Sequence, residues 1–80
     1  MTVTLLFFAS YADAFGVSSL DVELPRESTV AELLTAIRTR QGAELLPPKP
    51  LVSVNETYAA LDTIVHDGDE VALIPPVAGG

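Results

Sequence analysis

Two continuous apolar runs stand near the two ends of this 80-residue chain, "VTLLFFA" at 3–9 and "EVALI" at 70–74. Each run is shorter than an average helix and is typical of a buried strand. Strands without polar alternation are covered on both faces at least in part. We therefore expect these two strands to lie side by side at the centre of one sheet, and a chain of this size to form one small domain around them.

The region between the two runs predicts one main helix. Thr29 and Glu32 have the spacing of a capping box, which satisfies donors at a helix start. The apolar positions that follow form a single stripe, at Val30, Leu33, Leu34 and Ile37. Arg38 suits the negative end of the helix dipole and Gly42 suits a left-handed cap, so we expect a helix over about 30–41.

Shorter patterns predict three further strands and the turns between them. The strands are Val17–Leu24, which alternates apolar and polar residues, Leu51–Asn55 and Thr57–Ala59. "SYADAFG" predicts a turn or a single helical turn ending at Gly16, and Asn55-Glu56 and Asp67-Gly68-Asp69 predict turns. The proline-rich "AELLPPKP" starts no regular element.

The order strand, strand, helix, strand, short strand, strand predicts an α+β roll: a mixed sheet of about five strands with one main helix packed on one face. Period-two alternation then assigns one set of side chains to the helix side, namely Val3, Leu5, Phe7, Val71 and Leu73. The opposite set is Leu6, Phe8, Ala72 and Ile74. Because no second helix covers this set, we expect an exposed apolar patch and interpret it as a partner surface. The alternative is a smaller patch, shielded by the proline-rich segment.

The chain offers little ordinary catalytic chemistry. It has no cysteine, its only histidine is His66, and it contains no phosphate-binding glycine motif. Asp67, Asp69 and Glu70 are ligand types for a hard cation, but the rest of a calcium-loop pattern is missing. We expect no metal site and no self-sufficient enzyme.

The charge balance narrows the classes of partner. A formal net charge of −7, with only four basic residues, disfavours nucleic acid and anionic membranes. No run approaches the roughly 20 apolar residues that cross a bilayer. We expect a cytoplasmic protein without a membrane or nucleic-acid partner.

The last six residues, "PPVAGG", have the most unusual composition in the chain. We expect a folded domain over 1–74 and an extended tail over 75–80. Two prolines favour a stiff exit from the domain, and small residues let a tail enter a narrow channel. Those tail residues are Pro75, Pro76, Val77, Ala78, Gly79 and Gly80. The alternative is an idle chain end.

Three stretches resemble the family of molybdopterin synthase small subunits (MoaD), which are ubiquitin-like sulfur carriers. They are "LFFA" with Asp13 and Gly16 after it, "VSVN" at 52–55, and "DGDEVALIPPVAGG" at 67–80. The resemblance spans nearly the whole chain. It implies a β-grasp fold, no bound cofactor, and a partner-facing patch formed by Phe8, Tyr58 and Ile74.

The resemblance also implies the chemistry of the tail. An ATP-dependent adenylyltransferase (MoeB-like) adenylates Gly80, which then becomes a thiocarboxylate. The tail, including Val77, Ala78 and Gly79, enters a large subunit (MoaE-like) that supplies the catalytic residues, in a heterotetramer. Sulfur passes to cyclic pyranopterin monophosphate to form the molybdopterin dithiolene. The chain itself is then a sulfur donor and not the catalytic subunit.

Three alternatives remain open from the sequence. The first is a sulfur carrier of another pathway, for thiamine synthesis or tRNA thiolation. The second is a ubiquitin-like modifier that forms isopeptide bonds. The third is a β-grasp interaction module whose tail has no chemistry.

Overall fold

A computed structural model describes residues 1–76. Its strands are β1 (Thr2–Phe7), β2 (Ser19–Glu23), β3 (Leu51–Val54), β4 (Thr57–Ala59) and β5 (Glu70–Ile74). Its helices are α1 (Ala9–Phe15), α2 (Val30–Ile37) and a 3₁₀ helix (Ala43–Leu45). The five strands form one sheet in the order β2-β1-β5-β3-β4. The expected α+β roll with a mixed five-stranded sheet is confirmed.

The two apolar strands lie at the centre of the sheet, as expected. β1 and β5 pair in parallel, with Leu5 opposite Val71 and Phe7 opposite Leu73. The other three pairings are antiparallel. The expected inward set is buried: Val3, Leu5, Phe7, Val71 and Leu73 are each at most 2% exposed. Parity along the strands therefore predicted the core side of the sheet correctly.

The start of α2 is the predicted capping box. The Thr29 hydroxyl accepts a hydrogen bond from the Glu32 N–H at 3.2 Å, and the Glu32 carboxylate accepts one from the Thr29 N–H at 3.0 Å. All four residues of the predicted apolar stripe are buried. The capping box begins α2, and the stripe packs α2 into the same buried core as the inward side chains of the sheet.

The predicted end of α2 is wrong by about one turn. The helix ends at Ile37, and Arg38 and Arg40 follow in tighter turns, with their N–H groups bonded three residues back. The physical reason is the sequence after Ile37: "RTRQ" has no apolar residue to bury, so tertiary packing stops stabilising the helix there.

Gly42 is left-handed, with φ of 99°, but it does not cap α2. It begins the 3₁₀ helix Ala43–Leu45, so the expectation that "AELLPPKP" starts no regular element is wrong for its first three residues. A Cβ at position 42 would lie 2.3 Å from the carbonyl oxygen of Ala14. Backbone therefore approaches backbone here, and only glycine allows it.

α1 is longer than the single turn expected, and β1 is correspondingly shorter, ending at Phe7. α1 ends at Gly16, as predicted, and the Gly16 N–H donates to the Ala12 carbonyl. Tyr11 is buried, and the Phe15 ring stacks on Phe7 with centroids 4.3 Å apart. Within residues 1–76, no helix is long and apolar enough to cross a membrane.

Candidate functional site

One row of side chains crosses the face of the sheet that α2 leaves open. Leu6 pairs with Ala72, Ala72 with Ser53, and Ser53 with Tyr58. Directly paired positions carry their side chains on the same face. Leu6 and Ala72 are half-buried, while Tyr58 at the edge of the sheet is 71% exposed.

A second apolar row lies beside the first, towards the carboxyl end of β5. Ile74 pairs with Leu51, and Phe8 directly follows the paired positions Phe7 and Leu73. Phe8 and Leu51 are each 50% exposed. We call the apolar and aromatic side chains of these two rows the open-face patch; its members are Leu6, Phe8, Leu51, Tyr58, Ala72 and Ile74.

The open-face patch brings together all three residues of the sequence-predicted partner surface: Phe8, Tyr58 and Ile74. Their role in binding stays a prediction. Sequence reasoning missed Leu51, although the signal was present, because Leu51 has the same strand parity as Ser53 and is therefore on the open face.

Local backbone geometry sets the position of Phe8. Phe8 is extended, with φ of −124° and ψ of 151°, and so continues the alternation of β1 past its last ladder position. Ala9 follows with a left-handed φ of 48°, which turns the chain into α1. The Phe8 carbonyl accepts hydrogen bonds from Tyr11 and Ala12 at 3.0 and 3.4 Å. The start of α1 therefore holds the Phe8 backbone while its ring remains accessible.

The other half of the open face is polar and acidic. The Thr4 hydroxyl donates to Asp21 at 3.1 Å, and the Thr2 hydroxyl donates to Glu23 at 2.9 Å. Glu70 pairs with Thr4 in the register of β1 and β5. All four basic residues of the sequence lie outside the five strands. The open face thus divides into an apolar half beside the tail and an acidic half away from it.

The carboxylates of the Asp67-Gly68-Asp69 turn are used in local structure. Asp67 accepts a hydrogen bond from the Thr2 N–H at 2.7 Å. Asp69 accepts from the His66 N–H at 2.8 Å and from the Asn55 side chain at 3.0 Å. Within the described residues, no three His, Cys, Asp or Glu side chains are grouped to hold a metal ion.

These hydrogen bonds also change the acidity of Asp69. Burial alone would raise the pKa of Asp69. This effect is outweighed by the hydrogen bonds from the His66 backbone and the Asn55 side chain, together with the nearby imidazole of His66. The net effect holds the pKa below its ordinary value. The Asp69 carboxylate thus joins the turn before β5 to the Asn55 turn after β3.

The tail leaves the domain at the apolar end of the open face. β5 ends at Ile74, and Pro75 and Pro76 follow it outside the sheet ladder. A groove of about 260 Å³ lies here, and its lining includes Ile74 and Pro76 at the root of the tail and Lys49 and Pro50 from the segment before β3. The remaining tail residues predicted from the sequence, Val77, Ala78, Gly79 and Gly80, lie outside the described residues.

This architecture defines a class of protein: a ubiquitin-like β-grasp domain with one main helix on one face of the sheet and an apolar patch on the other. Residues 5–80 match the ThiS family, and the chain belongs to that family. It is 34% identical over 80 residues to the molybdopterin synthase sulfur carrier subunit of Escherichia coli (strain K12), covering 98% of this chain and 99% of that one. The resemblance seen in the sequence is confirmed.

Solved structures confirm the β-grasp fold. SAMP1, the small archaeal modifier protein 1 of Haloferax volcanii, superimposes with a TM-score of 0.87 at 29% identity over 100% of both chains. A chain from the complex of subunits 1 and 2 of molybdopterin-converting factor from Helicobacter pylori 26695 has a TM-score of 0.74 at 23% identity, again over 100% of both chains. The second likeness shows the fold alone.

Proposed function

We propose that this chain is the sulfur-carrier small subunit of molybdopterin synthase. The observation that carries the proposal is the nearly full-length similarity to a molybdopterin synthase sulfur carrier subunit. The family match over residues 5–80 extends to the "GG" end. The position of the open-face patch supports the proposal, because the patch includes Ala72 and Ile74 of β5, the strand from which the tail leaves. A partner seated on the patch receives the tail at the same time.

In this proposal the reacting group is the C-terminal carboxylate of Gly80. This carboxylate attacks the α-phosphorus of ATP on an activating, MoeB-like enzyme, which forms an acyl adenylate and releases pyrophosphate. Hydrosulfide then attacks the acyl carbon and displaces AMP, which leaves a thiocarboxylate and one proton. This group is a sulfur nucleophile that needs no cysteine, which suits a chain without one.

The catalytic groups are expected in the large, MoaE-like subunit, with which the chain forms a heterotetramer. The E. coli relative is named as a subunit, which supports an obligatory partner. The open-face patch docks on that subunit, the prolines direct the tail, and Val77, Ala78 and Gly79 fit its channel. Sulfur then passes to cyclic pyranopterin monophosphate.

The direct test is the intact mass of the full chain. After incubation with the activating enzyme, ATP and a sulfur source, we expect a mass change equal to the replacement of one oxygen by one sulfur. The product, mixed with the large subunit and the pyranopterin precursor, should then return to its unmodified mass as molybdopterin forms. A chain that never acquires sulfur contradicts the proposal.

A second candidate function is covalent protein modification, favoured by the likeness to a small archaeal modifier protein. The same activated Gly80 would then acylate a lysine amine and release AMP. Conjugates of higher mass that survive thiol reduction, with the sulfur-bearing form absent, would favour this candidate. Sulfur transfer to a thiamine precursor or to tRNA, with none to the pyranopterin, would assign the carrier to another pathway.

A further inference from the structure

The segment at 46–50, "LPPKP", which we call the proline loop, has few means of holding its own position. Three of its five residues are prolines, which have no N–H to donate. The proline loop follows the 3₁₀ helix and leads directly into β3. The carbonyl groups of the proline loop must therefore accept hydrogen bonds from donors elsewhere in the chain.

Arg38 supplies those donors. Its guanidinium donates to the carbonyl of Leu46 at 3.0 Å and to the carbonyl of Pro47 at 2.7 Å, and it lies 3.5 Å from the carbonyl of Pro48. A guanidinium presents several N–H groups in a rigid planar fork, which suits consecutive carbonyl acceptors. One side chain at the end of α2 thus holds the first three residues of the proline loop.

The proline loop forms one wall of the groove at the root of the tail. Pro47, Lys49 and Pro50 line it, and Ile74 and Pro76 line it from the tail side. Leu46 and Pro50 are buried, so the two ends of the proline loop are packed against the domain, while the three residues between them are exposed. The root of the tail therefore shares a groove with a loop whose carbonyl groups Arg38 binds.

We propose that Arg38 is a positioning residue for sulfur transfer, acting through the proline loop on the direction of the tail. The proposal rests on the proposed function. Pro75 and Pro76 are conformationally stiff, so a change of direction at their base is carried towards Gly80. Misplacement of a reacting group by about 1 Å can cost roughly 100-fold in rate, so a small movement of the proline loop matters.

The test compares Arg38→Met with Arg40→Met in the full chain. Arg40 is also basic, follows the end of α2 and is exposed, so it controls for lost charge. Thiocarboxylate forms are mixed with saturating large subunit and pyranopterin precursor, and a single turnover is followed. We expect the maximal rate of R38M to fall about tenfold or more, with the Kd for the large subunit within about twofold of wild type. R40M should match wild type.

A second readout needs no activity. In R38M the backbone amide resonances of Lys49, Leu51 and Ile74 should shift in NMR spectra, and in R40M they should not. Unchanged amides or an unchanged maximal rate would overturn the proposal. A weakened Kd with an unchanged rate would overturn it too, because the proline loop would then be a direct contact.

Two further comparisons cover the cases in which R38M does not fold or wild type acquires no sulfur. If R38M fails to fold, Arg38→Lys replaces it, since lysine keeps the charge and the stem but loses the planar fork; the same rate loss is expected. If wild type itself never acquires sulfur, the proposed function fails, while the NMR comparison still decides whether Arg38 controls the tail root.

Discussion

At the scale of single residues, the backbone at position 42 requires glycine. Its φ of 99° is left-handed, and an added Cβ would meet the backbone of Ala14. We expect Gly42→Ala to lower the free energy of unfolding by about 3 kcal/mol, from left-handed strain and overpacking together. Urea unfolding of wild type and variant measures the difference.

Gly16 provides the matched control for Gly42. It is also left-handed, with φ of 77°, but a Cβ there would meet no atom within 4 Å. Gly16→Ala should therefore cost only the strain, about 1 kcal/mol. Equal costs for the two alanines would show that the close approach at Ala14 does not matter.

The Asp69 carboxylate should make the free energy of unfolding smaller in acid. Its pKa is lowered in the folded protein by the His66 backbone and Asn55 hydrogen bonds, which outweigh burial. A lowered pKa stabilises the fold above the ordinary carboxyl pKa, and this contribution is lost as pH falls through the folded value. The free energy of unfolding should therefore fall as pH drops below the ordinary range, and Asp69→Asn should flatten that dependence. A variant with an unchanged slope would exclude Asp69 as its source.

At the scale of elements, α2 is only eight residues long, so its capping box is a large part of its local stability. Thr29→Ala removes the hydroxyl that accepts from the Glu32 N–H, and we expect a loss of about 1 kcal/mol. Thermal and urea unfolding measure it. Thr35→Ala is the control: the Thr35 hydroxyl only donates to the Ala31 carbonyl within the helix, so its loss should be neutral or slightly stabilising.

β5 carries both the core and the proposed docking face on alternate residues. Ile74→Asp changes the open-face patch, so we expect binding to the large subunit to weaken at least tenfold, roughly the effect of losing an interface anchor. Circular dichroism and calorimetric titration separate folding from binding. Leu73→Asp, one residue away in the buried core, should instead unfold the protein. If Ile74→Asp also unfolds it, Ile74 belongs to the core.

At the scale of the whole molecule, the proposed function assigns folding to the domain and the chemical reaction to the end of the tail. The described core extends to Leu73 and β5 ends at Ile74, so we expect the fold to be independent of Gly80. An alanine added after Gly80 should abolish sulfur transfer while the melting temperature stays unchanged. Mass spectrometry and thermal unfolding test both halves. An extended protein that still transfers sulfur would contradict the tail mechanism.

Particular residues show how far sequence reasoning reached. The sequence predicted the capping box of Thr29 and Glu32 and the buried positions of Leu5 and Leu73, because capping and strand alternation depend on residues close together in the chain. The end of α2 and the 3₁₀ helix after Gly42 were not predicted. The helix ends where no further apolar residue packs on the core, and the 3₁₀ helix begins where the Gly42 backbone approaches that of Ala14. The side chain of Arg38 was expected to favour the helix dipole, yet it binds carbonyls eight to ten residues away.

The sequence by itself determined the strands, the main helix, the buried side of the sheet and the unusual composition of the tail. Each follows from periodicity or from the conformational limits of proline and glycine, which act over a few residues. The resemblance placed Phe8 and Tyr58 on one surface, but only the tertiary structure added Leu51 to it and showed that the proline loop lies beside the tail root. Those neighbours are far apart in sequence, and strand register and long-range hydrogen bonds bring them together.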